Sequence, residues 1–158
     1  MAIKQKTKAA VLTEIMLAVF RVNGRLLEKG DQLVSPLGLT SARWQVLGAV
    51  ALAGKPLTAP QIADTMGITR QGAQKQLNKL KEEGFFELRN NPQHKRSPLY
   101  ALTVRGSKTM DAALALQDIW SNSLAAGLPL HDLRQTLHTL HLIYTCLDTP
   151  VPMKGANT

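Results

Sequence analysis

Two closely spaced helix signatures joined by a glycine constrain this sequence more than any other feature. Thr58 followed three residues later by Gln61 is a capping box, which marks a helix start. Gly67 is suited to end that short helix, and the Thr69 hydroxyl can cap a second helix that runs to about Glu83. Two short helices with so tight a connection predict a helix-turn-helix.

The second helix of this pair has two chemically different faces. Ala73, Leu77 and Leu80 recur at helical spacing and are expected to point into a core. At about 100° per residue, the opposite face carries only amides and a cation: Gln71, Gln74, Lys75 and Asn78. Gln and Asn can pair with adenine, and Lys can reach guanine or phosphate. The alternative is an ordinary solvated polar face, which most exposed helices have.

A basic β-hairpin is predicted directly after this helix. Phe85–Arg89 alternates in part between apolar and polar residues, with Phe86 and Leu88 on one side, and Leu99–Leu102 is the returning strand. The loop between them is rich in Asn and Pro, which favour turns. Three of its side chains suit phosphate or a minor groove: His94, Lys95 and Arg96. A surface loop that is basic by chance is the alternative, but helix pair and hairpin together predict a winged helix.

Three stretches resemble the MarR family of winged-helix transcriptional regulators: LTSARWQVLGAV, PLTAPQIADTMGITRQGAQKQLNKLKEEGFF and NPQHKRSPLYALTVRG. The resemblance covers about Leu39–Gly106 and implies a homodimer that reads a pseudo-palindromic operator on double-stranded DNA. It also implies release by a small-molecule effector or by oxidation. By position, Thr69–Lys79 corresponds to the recognition helix and Arg96 to the wing arginine. The family usually has an aspartate two residues before that arginine; His94 stands there instead, so we expect Arg96 to lack that partner.

Positive charge is concentrated in the same region. The chain of 158 residues has a formal net charge of +8, which favours a polyanionic partner. Between Thr69 and Lys108 there are nine Lys or Arg and only three Asp or Glu, as a phosphate-facing surface requires. We predict that ten side chains contact DNA: Thr69, Arg70, Gln71, Gln74, Lys75, Asn78, Lys79, His94, Lys95 and Arg96.

Apolar helices are predicted on both sides of the winged helix. The first is expected over Thr7–Lys29, with Gly30 ending it and a loop over 31–38. Two more are expected over about Val104–Ala126 and Leu130–Leu147, and the last has apolar residues at coiled-coil spacing. Their apolar faces need a partner, and a second copy of the chain is the simplest; closure of a monomeric bundle is the alternative. The predicted dimerisation residues are Leu12, Ile15, Val19, Leu133, Leu137, Leu140 and Tyr144.

Other chemistry receives little support. No catalytic or cofactor motif is found, so we predict no enzyme, no catalytic residue and no cofactor. His138 and His141 lie one helical turn apart, but no second ligand cluster accompanies them, so no metal site is predicted. The lone Cys146 is expected to be a packed thiol, with an intersubunit redox bond as the alternative. One cysteine fits a reducing, cytoplasmic compartment, and no apolar run reaches the ~18 residues of a membrane span.

These expectations combine into a mainly α (α+β) chain. A helical dimerisation region is expected over 7–30 and 104–147, a winged helix-turn-helix DNA-binding domain over 39–103, and a flexible tail over 148–158. The predicted function is a homodimeric transcriptional regulator, with repression as the commoner mode in families of this kind. A winged-helix protein–protein interaction module is the alternative, because the same helix and hairpin can bind a protein.

Overall fold

The computed structural model describes residues 7–151, which form a mainly helical fold with one small sheet. In chain order, the elements are α1 (Lys8–Val34), a 3-10 turn (Ser35–Leu37), α2 (Ser41–Ala53), β1 (Leu57–Thr58), α3 (Ala59–Met66), α4 (Arg70–Glu82), β2 (Phe86–Arg89), β3 (Leu99–Leu102), α5 (Val104–Ala125) and α6 (Leu130–Cys146). The predicted mainly α winged helix is confirmed, and most boundaries lie within a residue of those expected. The chain divides into two compact units, Met1–Gln117 and Asp118–Thr158.

The first unit contains the winged helix. Its sheet is antiparallel in the order β1-β3-β2, so the last strand lies in the middle. Tyr100 on β3 pairs with Leu57 on one side and with Leu88 on the other. The core against this sheet is aliphatic, and its largest fully buried side chains are Val34, Val46, Leu47, Ile62, Leu77 and Leu80.

The helix-turn-helix forms as its capping residues predict. The capping box of Thr58 and Gln61 is present at the start of α3, and Gly67 ends that helix in the left-handed conformation with φ 61°. The inward face of α4 is also confirmed, because Ala73, Leu77 and Leu80 are all 0% exposed. Burial of that face fixes which side of α4 remains open to solvent.

The predicted end of the first helix at Gly30 is wrong. Helix α1 runs through Gly30 to Val34, and Asp31–Val34 is helical rather than a loop. Gly30 is required by a close crossing instead, since a Cβ there would lie 2.5 Å from Oγ of Ser41. The Ser41 amide donates to Asp31 Oδ1 and its hydroxyl to the Leu27 carbonyl, each at 2.6 Å. Packing at this joint outweighs the ~1 kcal/mol that glycine costs inside a helix.

Burial limits one expectation and corrects another. Leu88 alternates with Phe86 on β2 as expected, but only Phe86 is buried, since Leu88 is 46% exposed and Phe86 is 2% exposed. This short strand covers the core with Phe86 at its start, and the following residues lie beyond the core's edge. The expectation that Cys146 is a packed thiol is wrong for one chain, because Cys146 is exposed. It lies on α6, where no residue is buried.

The second unit contains the end of α5 and all of α6. No residue of α6 is buried, although many of its residues are apolar. The large apolar or aromatic side chains that are more than a third exposed are Leu130, Leu133, Leu137, Leu140, Leu142 and Tyr144. None of the helices within residues 7–151 is long and apolar enough to cross a membrane. The predicted tail falls mostly on residues 152–158, which lie outside the described part of the chain.

Candidate nucleic-acid interface

Helix α4 is held at both ends and along its inner face. At its start, the Thr69 hydroxyl accepts a hydrogen bond from the Gly72 amide at 3.0 Å. At its end, Glu83 forms a 2.5 Å ion pair with Arg43 of α2. Arg43 is only 8% exposed. Solvent screens this pair only in part, because 10% of the Arg43 side chain is exposed against 36% of the Glu83 side chain. The pair ties the end of α4 to α2. The outer face of α4 is therefore presented in one orientation.

The ten predicted contact residues are all exposed, seven on or beside α4 and three in the loop of the hairpin. The structure brings part of the helix set together along one shallow groove, lined by Thr69, Gln71, Gly72, Gln74, Lys75 and Asn78. Thr69 has a structural duty there, because its hydroxyl oxygen already accepts the capping hydrogen bond. The other side chains of the groove offer amide groups and one ammonium, which suit base edges and phosphate.

Two amides on this face are linked to a buried tyrosine. Nε2 of Gln74 donates to Oδ1 of Asn78 at 2.8 Å and to the hydroxyl of Tyr100 at 2.9 Å. Tyr100 is 5% exposed, and its ring packs edge-on against Phe86 at 6.0 Å between centroids. Sequence reasoning missed Tyr100, because no local signal connects a strand residue to a helix residue twenty-six positions earlier.

The loop between β2 and β3, residues 90–98, is closed from inside by Asn91. Its Oδ1 accepts from the amides of Gln93 and His94, at 3.1 and 3.3 Å, and its Nδ2 donates to the Ser97 carbonyl at 2.8 Å. An Asn side chain that mimics backbone in this way is a known turn device, so the Asn–Pro sequence could have revealed it. The hydrogen bonds of Asn91 therefore order this loop, for which the sequence predicts no ion pair between Arg96 and an aspartate.

Replacement of Asn91 by alanine is expected to loosen this loop without unfolding the domain. It removes three hydrogen bonds, each with a net contribution of about 1 kcal/mol at most sites. We expect amide exchange at Gln93 and His94, whose N–H groups donate to Asn91, to quicken roughly 5- to 10-fold, measured by hydrogen exchange. Asn90→Ala is the matched control, since no hydrogen bond of its side chain occurs among residues 7–151. Unchanged exchange in Asn91→Ala would show that the loop is ordered by something else.

The cations of this surface are largely uncompensated. Within residues 7–151, no carboxylate forms an ion pair with the five cations of the predicted set, which are Arg70, Lys75, Lys79, Lys95 and Arg96. Arg89 differs, because it pairs with Glu87 on the same strand at 2.7 Å. That Arg96 lacks an internal partner stays a prediction. Exposed cations without local partners leave a positive potential around α4 and around the hairpin loop.

The chain is similar to known proteins over most of its length. The sequence profile of the MarR family matches residues 37–97. An uncharacterized protein of Mycobacterium tuberculosis is 34% identical over 141 residues, covering 89% of this chain and 97% of that protein. The structure of CouR from Rhodococcus jostii bound to p-coumaroyl-CoA aligns at 25% identity with a TM-score of 0.74, over 87% of this chain and 95% of CouR.

A mutant MarR of E. coli complexed with operator DNA has the same fold. It aligns with a TM-score of 0.72 at 21% identity, over 87% of this chain and 99% of that chain. These likenesses agree with the winged helix-turn-helix built above from its caps, core and sheet.

Proposed function

Since this chain belongs to the MarR family of transcription regulators, we propose that it is a sequence-specific repressor. It binds double-stranded DNA as a homodimer, on an operator with two inverted half-sites. The observation that carries the proposal is the outer face of α4, where exposed amides and cations stand together on a helix anchored at both ends. The complex of the E. coli MarR with operator DNA supports the same use of the fold.

In this proposal, α4 is the recognition helix and the 90–98 loop is the wing. Helix α4 enters a major groove with its outer face toward the bases, where Gln71, Lys75 and Asn78 meet base edges. Arg70 and Lys79 lie toward the ends of the helix and meet phosphates, which set register without reading sequence. In the wing, Lys95 and Arg96 reach the adjacent backbone or minor groove, together with His94.

The dimer is proposed from apolar surface that one chain leaves open. Helix α1 exposes Leu12 at 38% and Val19 at 43%, with Ile15 half-buried between them. Helix α6 buries nothing, and Leu137 and Tyr144 on it are 56% and 64% exposed. Apolar faces of this extent mark interfaces in soluble proteins, and a two-fold dimer would set two recognition helices about 34 Å apart, one turn of DNA.

A small-molecule effector is proposed to release the DNA. The first unit has a cleft of about 390 Å³ beside α2, β3 and α5, lined among others by Val50, Lys55, Arg89, Met110, Asp111 and Leu114. That volume lies in the range of ligand pockets, and its wall combines apolar side chains with a few charges. The bound p-coumaroyl-CoA of CouR supports an effector. A ligand that binds one arrangement of the dimer better than the other shifts the population between them.

The dependence of binding on salt tests this proposal against a protein-binding module. Ten exposed cations in a dimer, five from each protomer, should release counterions from DNA, and we expect the slope of log K against log salt to be roughly −4 or steeper. The measurement is fluorescence anisotropy with a duplex selected from a random pool by the purified protein. A random-sequence duplex of equal length is the control for specificity. No duplex binding even at ~20 mM salt, or a flat dependence, would overturn the proposal.

A further inference from the structure

We infer that Tyr100 is a positioning residue for base recognition, acting through the amides of Gln74 and Asn78. This inference rests on the proposed function and adds to it the hydrogen-bonding character of two reading groups. Tyr100 cannot reach DNA, because it is 5% exposed and lies on the central strand of the sheet. Its hydroxyl nevertheless ends a chain of hydrogen bonds that runs outward to the exposed face of α4.

Tyr100, the inner end of this chain of hydrogen bonds, is held rigidly. Its ring packs edge-on against Phe86, and its backbone pairs with β1 on one side and with β2 on the other. The hydroxyl oxygen therefore stays at one place beneath α4, 2.9 Å from Nε2 of Gln74. A long exposed glutamine side chain otherwise samples many rotamers, at a cost that binding must offset. The bond to Tyr100 holds the Gln74 side chain in one of them before DNA arrives.

These hydrogen bonds also fix which amide atoms of Gln74 and Asn78 face outward. Nε2 of Gln74 has two N–H groups, and both are engaged, one by Tyr100 and one by Asn78. Gln74 can then offer DNA only its carbonyl oxygen, and it cannot make the two-point pairing with adenine that needs donor and acceptor of one amide. Asn78 has its oxygen engaged and offers N–H donors.

The two residues thus present opposite hydrogen-bonding character side by side. The oxygen of Gln74 suits a base whose exocyclic amine faces the major groove, which is adenine or cytosine. The amide nitrogen of Asn78 suits the acceptors N7 and O6 of guanine, N7 of adenine or O4 of thymine. Loss of the Tyr100 hydroxyl frees the Gln74 amide to turn, so the discrimination between donor and acceptor at these base pairs should weaken.

The test is Tyr100→Phe, which keeps the ring and removes only the hydroxyl. Base preference is measured at every operator position with a library of singly substituted duplexes, and the pairs read through Gln74 are defined as those whose preference weakens in Gln74→Ala. We expect Tyr100→Phe to broaden preference at those pairs only and to lower the ratio of specific to random-duplex affinity roughly 3- to 30-fold for the two protomers. Random-duplex affinity itself should be unchanged. Thr65→Val, which removes an exposed hydroxyl on α3 while keeping the shape of the side chain, is the matched control, because that hydroxyl bonds only to the Gln61 carbonyl of its own helix.

A second variant separates positioning from a general structural role. In a Gln74→Ala background, Tyr100→Phe should have no further effect on preference, since the hydroxyl acts only through Gln74. Unchanged preference in Tyr100→Phe, broadening at all positions including those read by the wing, or a further loss in the Gln74→Ala background would each overturn the inference. Failure of the unaltered protein to bind any duplex would instead overturn the proposed function, and the inference with it.

Discussion

The double variant Lys75→Ala/Asn78→Ala is expected to lose operator binding by about 1,000-fold or more while remaining a folded dimer. Both side chains are exposed in the groove along α4, so their removal leaves the core untouched. A hydrogen bond to a base contributes about 1 kcal/mol, and more when the donor is charged as in Lys75, and a dimer loses two such contacts at each half-site. At 1.4 kcal/mol per tenfold change, even the lower value summed over four contacts gives about three orders of magnitude.

The measurement is anisotropy with the selected duplex, together with sedimentation to count chains. The matched control is Lys108→Ala/Asn122→Ala, which removes the same two residue types, and the same charge, from exposed positions on α5. This control should bind within about threefold of the unaltered protein, because it loses only general electrostatic attraction. If the α4 double variant also bound within about threefold, the reading face would have been assigned to the wrong side of the helix.

Leu137→Glu is expected to convert the dimer into monomers and to weaken operator binding at least 100-fold. Leu137 lies in the middle of α6 and is 56% exposed in one chain. In a two-fold interface its replacement would bury a carboxylate from each copy in apolar surroundings, at a cost of several kcal/mol. A monomer binds one half-site only, so the gain in affinity from linking two recognition helices disappears.

Leu52→Glu is the matched control for this variant. Leu52 is a leucine of α2 with 78% exposure, and it lies outside the proposed interface, so its variant should remain dimeric. Mass is measured by sedimentation at several concentrations, with circular dichroism to detect unfolding of the monomer. A Leu137→Glu protein that stays dimeric at low micromolar concentration would contradict a role for α6 in assembly. A monomeric unaltered protein would favour the closed bundle instead.

The parts of the interface that follow local rules were predictable from sequence. Thr58, Gln61 and Thr69 cap helices through bonds to residues three positions away, so their pattern is visible in the chain itself. The inward face of α4 follows from the helical period of Ala73 and Leu77. The exposure of the proposed contact residues within α4 follows from the same periodicity.

The errors arose where a distant neighbour decides a residue's environment. Gly30 has the appearance of a helix stop, yet it lies inside α1 because Ser41 of α2 crosses within contact distance. Leu88 alternates correctly with Phe86 but lies past the edge of the core, and a strand pattern does not reveal where a core ends. Cys146 belongs to a helix with no buried residue in one chain, which periodicity alone could not show.

By itself, the sequence determined the winged helix-turn-helix, its capped helices and the charge of its outer face, because each depends on contacts within a few residues or on a repeating period. Only the tertiary structure decided that Arg43 pairs with Glu83 at the end of α4 and that the Tyr100 hydroxyl accepts a hydrogen bond from Gln74. Both pairs join residues on different elements, and both depend on distances and angles between side chains. Geometry of that kind is set by how the elements pack, and no short pattern in the chain encodes it.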